Sequence, residues 1–183
     1  MKNLEIEYKL LCSKEQFDRL SALYQPLDFI KQVNTYYDTA DEQLRKLHCA
    51  MRIREKQGRF IFTLKEPMND GHLEHEWNIN ENSVDALIHH EKIRALLSRL
   101  NIHGKLQTTA SLETYRAVVK LDQAELCFDI NHYSNHTDYE IEYECTKPHD
   151  GKLVFNQILS QADLHYDTNC KSKIARALLC NKV

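Results

Sequence analysis

The 183-residue sequence predicts an α+β fold, with an eight-stranded antiparallel sheet covered by amphipathic helices. Three observations carry that prediction. Apolar and polar residues alternate with period two over eight separate stretches, as in strands with one buried face. Short polar turns join most of these stretches, which makes them hairpin partners and therefore antiparallel. Between them, longer segments repeat apolar residues three and four apart, the spacing of a helix with one buried stripe.

Taken in order, residues 3–11 form the first strand, with Leu4, Ile6, Tyr8 and Leu10 alternating with Glu5, Glu7 and Lys9. Ser13 then reads as a helix N-cap, with Gln16 at capping-box spacing and Phe17, Leu20 and Leu23 on the buried stripe. Residues 29–38 are rich in aromatic and β-branched residues and read as a strand. Residues 49–57 and 60–66 flank Gly58 as a hairpin, and residues 72–80 alternate again after Asn69-Asp70-Gly71. Ser83 starts a helix whose stripe runs Val84, Leu87, Ile88, Ile93, Leu96, Leu97 and Leu100. Residues 106–120, 124–132 and 137–145 complete the strands. A helix over 151–163 carries Leu153, Phe155, Ile158, Leu159 and Ala162, and KSKIARALL, residues 171–179, forms a short final helix.

Composition narrows the class. With 42% hydrophobic and 28% charged residues, only 4 Gly and 3 Pro, and no internal repeat, residues 1–183 read as one compact domain. The net charge of -3 offers no broad attraction for a polyanion, and basic residues are not clustered with aromatics, so nucleic acid is not expected as a partner. No apolar run approaches the roughly 18 residues of a membrane span. The 6 cysteines contain no CxxC pair, which predicts reduced thiols and a cytoplasmic protein. A monomer or homodimer is expected.

Sorting strand residues by parity puts like charges together. Arg52 and Arg54 oppose Met51 and Ile53; Lys65 shares its face with Thr63; Glu74 and Glu76 oppose Leu73, His75 and Trp77. Arg116 opposes Tyr115 and Ala117, Asp129 lies between Phe128 and Ile130, and Glu140 and Glu142 oppose Ile141 and Tyr143. An ordinary sheet with one wet face also carries alternating charges. Here, however, like charges two apart need counter-ions, and eight strands are enough to close into a barrel that gathers them. Clustered Arg and Lys suit phosphate oxygens. Carboxylates in the same place need a cation between themselves and phosphate, and Mg²⁺ or Mn²⁺ suits an oxygen-only donor set. Residue types and spacing therefore point to a metal-dependent polyphosphate or nucleotide enzyme.

The ordered set EIEYK (5–9), RIR (52–54), TLK (63–65), LEHE (73–76), Arg116 in ETYRAVV, Asp129 in LCFDI, EIE (140–142) and the closing CKSK resembles the CYTH family of triphosphate tunnel metalloenzymes. That family includes class IV adenylate cyclases, thiamine triphosphatases and inorganic triphosphatases. The resemblance implies a closed eight-stranded antiparallel β-barrel, a triphosphate tunnel with a charged interior, buttressed by surface helices. It implies that Lys9, Arg52, Arg54, Lys65, Arg116 and Lys171 grip phosphate, with Lys173 the competitor for the last place. Glu5, Glu7, Asp129, Glu140 and Glu142 would hold Mg²⁺ or Mn²⁺, with Glu76 and its neighbour Glu74 a second acidic group. Glu5, Glu7 and Lys9 would serve catalysis, Glu5 or Glu7 orienting the attacking water. The implied activity is hydrolysis of tripolyphosphate or a small organic triphosphate. The alternatives are cyclisation of ATP to cyclic AMP and pyrophosphate, and a non-catalytic polyphosphate or nucleotide sensor.

Other constellations carry less. His72 and His75 face opposite ways on a strand, and His75 falls on the apolar face, where a structural role is expected. His89 and His90 diverge on a helix and form no HExxH. No GxSxG, Walker-type or GxGxxG motif occurs.

Overall fold

The computed structural model describes residues 2–69 and 71–180; Asp70, expected in a turn, lies outside them. In chain order the strands β1 (Lys2–Glu5) and β2 (Glu7–Cys12) precede α1 (Lys14–Tyr24) and β3 (Ile30–Thr39). Then come α2 (Gln43–Lys46), β4 (Ala50–Lys56), β5 (Arg59–Met68), β6 (Gly71–Ile79), α3 (Val84–His89) and α4 (Glu91–Arg99). The chain continues through β7 (Leu106–Lys120), β8 (Ala124–Tyr133), β9 (His136–Cys145), α5 (Gly151–Leu159) and α6 (Lys173–Cys180). The expected α+β class with antiparallel strands and covering helices holds. Nine strands stand where eight were expected, because the first alternating stretch is broken at Ile6 into β1 and β2.

The chain divides into two compact units, residues 1–4 with 32–112 and residues 5–31 with 113–183. In the first, the strands run in the order β1-β6-β5-β4-β3, and the beginning of β7 follows β3. The Gln57-Gly58 turn between β4 and β5 has φ of 50° and 72°, the paired left-handed conformation that lets a two-residue hairpin follow the twist of its strands. Met51, Ile53, Phe62 and Leu64 from one sheet face pack with Leu87, Ile93, Leu96 and Leu97 of α3 and α4. The helix expected from Ser83 to Leu100 is two helices, broken at His90, whose ψ of 114° is extended. Ile88, expected on the stripe, is exposed.

In the second unit the later part of β7 is followed by β8, β9 and β2. Leu126, Phe128, Ile141 and Tyr143 form the floor of its core, roofed by Phe17 and Leu20 of α1 and by Phe155, Ile158 and Leu159 of α5. The capping box forms as expected: the Gln16 amide donates to Ser13 Oγ at 3.2 Å, and the Ser13 amide donates to Gln16 Oε1 at 3.0 Å. Leu23, expected on the buried stripe, is 54% exposed, and Leu153 is likewise exposed. Gly151 starts α5 so close to the sheet that a Cβ there would lie 2.6 Å from the Tyr8 ring and 2.7 Å from Cys145 Sγ. Among the described residues no helix is long and apolar enough to cross a membrane. All 6 cysteines are free thiols.

Candidate functional site

Residues directly opposite in an antiparallel ladder share a face, so strand register decides which charged side chains meet. In the second unit Arg116 lies opposite Asp129, and Asp129 opposite Glu140. One row along, Cys127 lies opposite Glu142 and Glu142 opposite Lys9. In the other direction Thr114, Asn131 and Asp138 line up in the same way. These rows occupy the sheet face turned away from the Phe128–Ile141 core. Two adjacent strands, β8 and β9, thus bring Asp129, Glu140 and Glu142 together, all buried, with Asp129 and Glu140 fully so at 0% exposure.

Cationic side chains meet these carboxylates. The Arg116 fork donates from Nε to Asp129 Oδ1 at 2.7 Å and from Nη2 to Asp129 Oδ2 at 2.5 Å, and also reaches Glu142. Lys173, the first residue of α6, sets Nζ 2.9 Å from Asp129 Oδ2, 2.7 Å from Glu140 Oε2 and 2.5 Å from Glu142 Oε1. Arg176, three residues on and so on the same side of α6, donates to Glu140 Oε2 at 2.6 Å and to Asp138 Oδ1 at 3.5 Å. Asn131 donates to Asp138 Oδ1 at 2.9 Å and Glu140 Oε2 at 3.1 Å, and accepts from the Thr114 hydroxyl at 2.8 Å. Lys9 pairs with Glu7 on its own strand.

The electrostatics follow from this packing. Burial would push the Glu142 carboxyl up, yet Arg116, Lys173 and Lys9 together hold it well below the usual carboxylate range. Burial would likewise pull Arg116 and Lys173 down. Asp129 and Glu142 outweigh it for Arg116, and Asp129, Glu140 and Glu142 do so for Lys173, so both are raised well above their ordinary values. The thiol of Cys170, packed 3.7 Å from Glu140 Oε1, is pushed up to about 12 by burial and that carboxylate, which makes it a poor nucleophile.

Ligand oxygens of Asp129, Glu140 and Glu142 lie within 4.8 Å of one another. An all-oxygen set of that span suits a small hard cation such as Mg²⁺ or Mn²⁺. The Lys173 ammonium among the same oxygens shows that the triad already holds positive charge. The residues therefore fit a divalent ion.

The first unit presents a different face. Arg52 lies opposite Tyr36 on one side and Thr63 on the other, and Thr63 lies opposite Glu76. Lys65 lies opposite Glu74, with Nζ 4.0 Å from its carboxylate. Arg54 lies opposite Asn34 and donates from Nε to the Asn34 amide oxygen at 3.0 Å. Gln32, Asn34, Tyr36 and Thr63 are buried on this face, whereas Glu76 is exposed. His75 is buried on the opposite, apolar side and bonded to Glu66, in keeping with a structural role.

Of the sequence candidates, Asp129, Glu140, Glu142 and Arg116 meet in one cluster of the second unit. Lys9 and Glu7 lie on neighbouring β2, and Glu5 is half-buried at the end of β1. Arg52, Arg54, Lys65 and Glu76 share a face of the first unit. One preference is corrected: Lys171 is exposed, contributes only its carbonyl to Arg176, and does not open the helix, which begins at Lys173. Lys173 is the lysine at the carboxylates. Sequence reasoning missed Asn131, Asp138 and Arg176. The first two stand two residues from Asp129 and Glu140 with the same strand parity, and Arg176 is three residues from Lys173, so each had a readable signal.

The family model described as "CYTH domain" matches residues 3–177. The chain is 34% identical over 178 residues to the Bacillus subtilis (strain 168) protein named "Putative triphosphatase YjbK", covering 94% of this chain and 93% of that one. A crystal structure of a "putative adenylate cyclase" from Bacillus halodurans superposes with a TM-score of 0.85 at 35% identity, covering 96% and 97% of the two chains. A Hippeastrum protein, named as a "putative adenylyl cyclase" with dominant triphosphatase activity, shares the fold at a TM-score of 0.75 and 24% identity, covering 98% and 97%.

Proposed function

The chain belongs to the CYTH domain family, and on that premise we propose that it is a divalent-metal-dependent triphosphatase acting on tripolyphosphate or a small organic triphosphate. The observation that carries this reading is the buried Asp129–Glu140–Glu142 triad, three oxygen donors on adjacent strands with guanidinium and ammonium groups packed against them. The Bacillus subtilis relative, at 34% identity, supports the same reaction class. The match across residues 3–177 supports treating the two units as one domain. Free cysteines support a cytoplasmic setting.

In this reading Asp129, Glu140 and Glu142 hold Mg²⁺ or Mn²⁺, with Glu5, Glu7 and Glu76 as further acidic groups. The ion, when bound, supplies Lewis-acid stabilisation of phosphate oxygens. Within the second unit, Lys9, Arg116 and Lys173 bind phosphate, and the Arg52, Arg54 and Lys65 face of the first unit is by itself also suited to phosphate oxygens. Their positive charge opposes the negative charge that spreads over the equatorial oxygens in the transition state. Glu5 or Glu7 accepts a hydrogen bond from the attacking water and so aims it at the terminal phosphorus.

The test is product analysis with tripolyphosphate, ATP and thiamine triphosphate, each with Mg²⁺, with Mn²⁺ and with a chelator. Phosphate release that needs metal is the expected result. Cyclic AMP and pyrophosphate from ATP would establish cyclisation instead, the activity in the name of the Bacillus halodurans relative. Tight binding without turnover would make the protein a sensor.

A further inference from the structure

The Lys173 ammonium touches one oxygen of each of the three carboxylates Asp129, Glu140 and Glu142. We propose that Lys173 is a tethered cation that holds this triad in the metal-free protein and is displaced from it when a divalent ion binds. The proposal rests on the metal-dependent reading above and adds an exchange between a side chain and an ion.

Space and charge both require the exchange. The triad oxygens span 4.8 Å or less, the width of the coordination shell of one small cation. An ammonium 2.5 to 2.9 Å from all three occupies that shell. A doubly charged ion and an ammonium in contact with the same oxygens would repel each other strongly in a site with little water. One must leave, and the lysine has the means to do so. Its head group is a compact point charge on a four-carbon flexible stem, unlike the planar fork of Arg116, which is fixed on Asp129 by two parallel bonds.

The helix need not move with it. Arg176 holds α6 to the sheet independently, through Glu140 at 2.6 Å and Asp138, and also bonds the Lys171 carbonyl. Asn131 keeps Asp138 and Glu140 in place from the other side. Displacement of Lys173 is therefore a side-chain motion on a docked helix. It has a consequence for order of binding: a polyanion arriving before metal meets carboxylates and a lysine already engaged with each other. After metal it meets a bound cation and a released ammonium.

The test uses Mn²⁺ alone, without substrate, on the whole protein and on Lys173→Met, with affinity read by calorimetry or by the electron-spin resonance of free Mn²⁺. The variant is expected to bind about tenfold more tightly, or better, because one positive charge no longer competes at contact distance. Equal affinity, or weaker binding by Lys173→Met, overturns the exchange. Absence of Mn²⁺ binding to either protein overturns the metal-dependent reading itself, so the two failures are distinguishable. A second measurement needs no substitution: acetylation of Lys173 by an amine reagent, located by mass spectrometry, should rise several-fold when Mn²⁺ is added. Unchanged or reduced labelling sinks the proposal even where Lys173→Met does not fold.

Discussion

Arg116, Lys173 and Arg176 in the second unit are each packed against buried carboxylates of β8 and β9, whereas the Arg52–Arg54–Lys65 face of the first unit is lined by Gln32, Asn34, Tyr36 and Thr63. Both faces arise from the same period-two alternation, and each backs onto its own apolar core. They differ in what separates the charges. In the second unit, acids and bases interlock, so its polar face is part of the fold. In the first, buried amides and hydroxyls stand beside the cations together with Glu74, 4.0 Å from Lys65. Substitutions on the second unit's face should therefore cost stability as well as activity, and those on the first unit's face mainly activity.

The largest effect is expected from Arg116→Ala. It strands Asp129 and Glu142 in the second unit without their fork, and removing one partner from a buried pair costs about 3–5 kcal/mol. Urea unfolding would measure it, and a loss below about 1 kcal/mol would erase the contrast between the faces.

Arg52→Ala carries the opposite expectation. Metal-dependent phosphate release should fall by about a hundredfold or more, as when one transition-state charge donor is lost. The unfolding free energy should change by no more than about 1 kcal/mol. Near-normal turnover would remove Arg52 from the phosphate-binding set.

Glu140→Gln sharpens the comparison because it keeps the shape and removes only charge. Asn131 and Arg176 can still donate to the amide oxygen. The Mn²⁺ concentration needed for half-maximal turnover should rise by about tenfold, the usual order for weakened metal coordination. An unchanged titration excludes Glu140 as a ligand.

A smaller effect is expected on acidification. Glu142 is depressed in the folded protein, so its contribution is complete above the unfolded carboxyl value, near pH 4.3 by reference, and is lost as pH falls through the lower folded value. Stability below about pH 5 should decline less steeply in Glu142→Gln than in the natural protein. Parallel curves would mean that Glu142 is not held ionised by its neighbours.

The contrast between faces is partly legible in the residues themselves. Parity alone places Asp129, Glu140 and Glu142 together, because a strand has only two sides and the Phe128–Ile141 side is apolar. The break at Ile6 is hidden because both β1 and β2 keep the alternation, so nothing in residue type marks the change of partner. The choice between Lys171 and Lys173 is equally obscure. The segment before α6 has no period, and only the start of the helix decides which lysine faces the sheet. The split at His90 is hidden for a related reason. Apolar residues on both sides still satisfy a helical stripe, although the backbone between them is extended at His90.

Thr63 offers the finest discrimination between the faces. Its residue is 1% exposed, it lies directly across from Arg52, and its hydroxyl has no hydrogen-bond partner among the described residues. A buried hydroxyl in that state costs folding free energy, so Thr63→Val, which keeps the branched shape, should leave the unfolding free energy unchanged or raise it by about 1 kcal/mol. The position on the Arg52 face gives the hydroxyl one further use, as a donor to phosphate oxygen. Thr63→Val should then raise KM for tripolyphosphate several-fold while kcat changes little, the pattern of lost uniform binding. A stability gain with an unchanged KM would leave Thr63 as packing, and its polarity on the Arg52 face would play no part in binding.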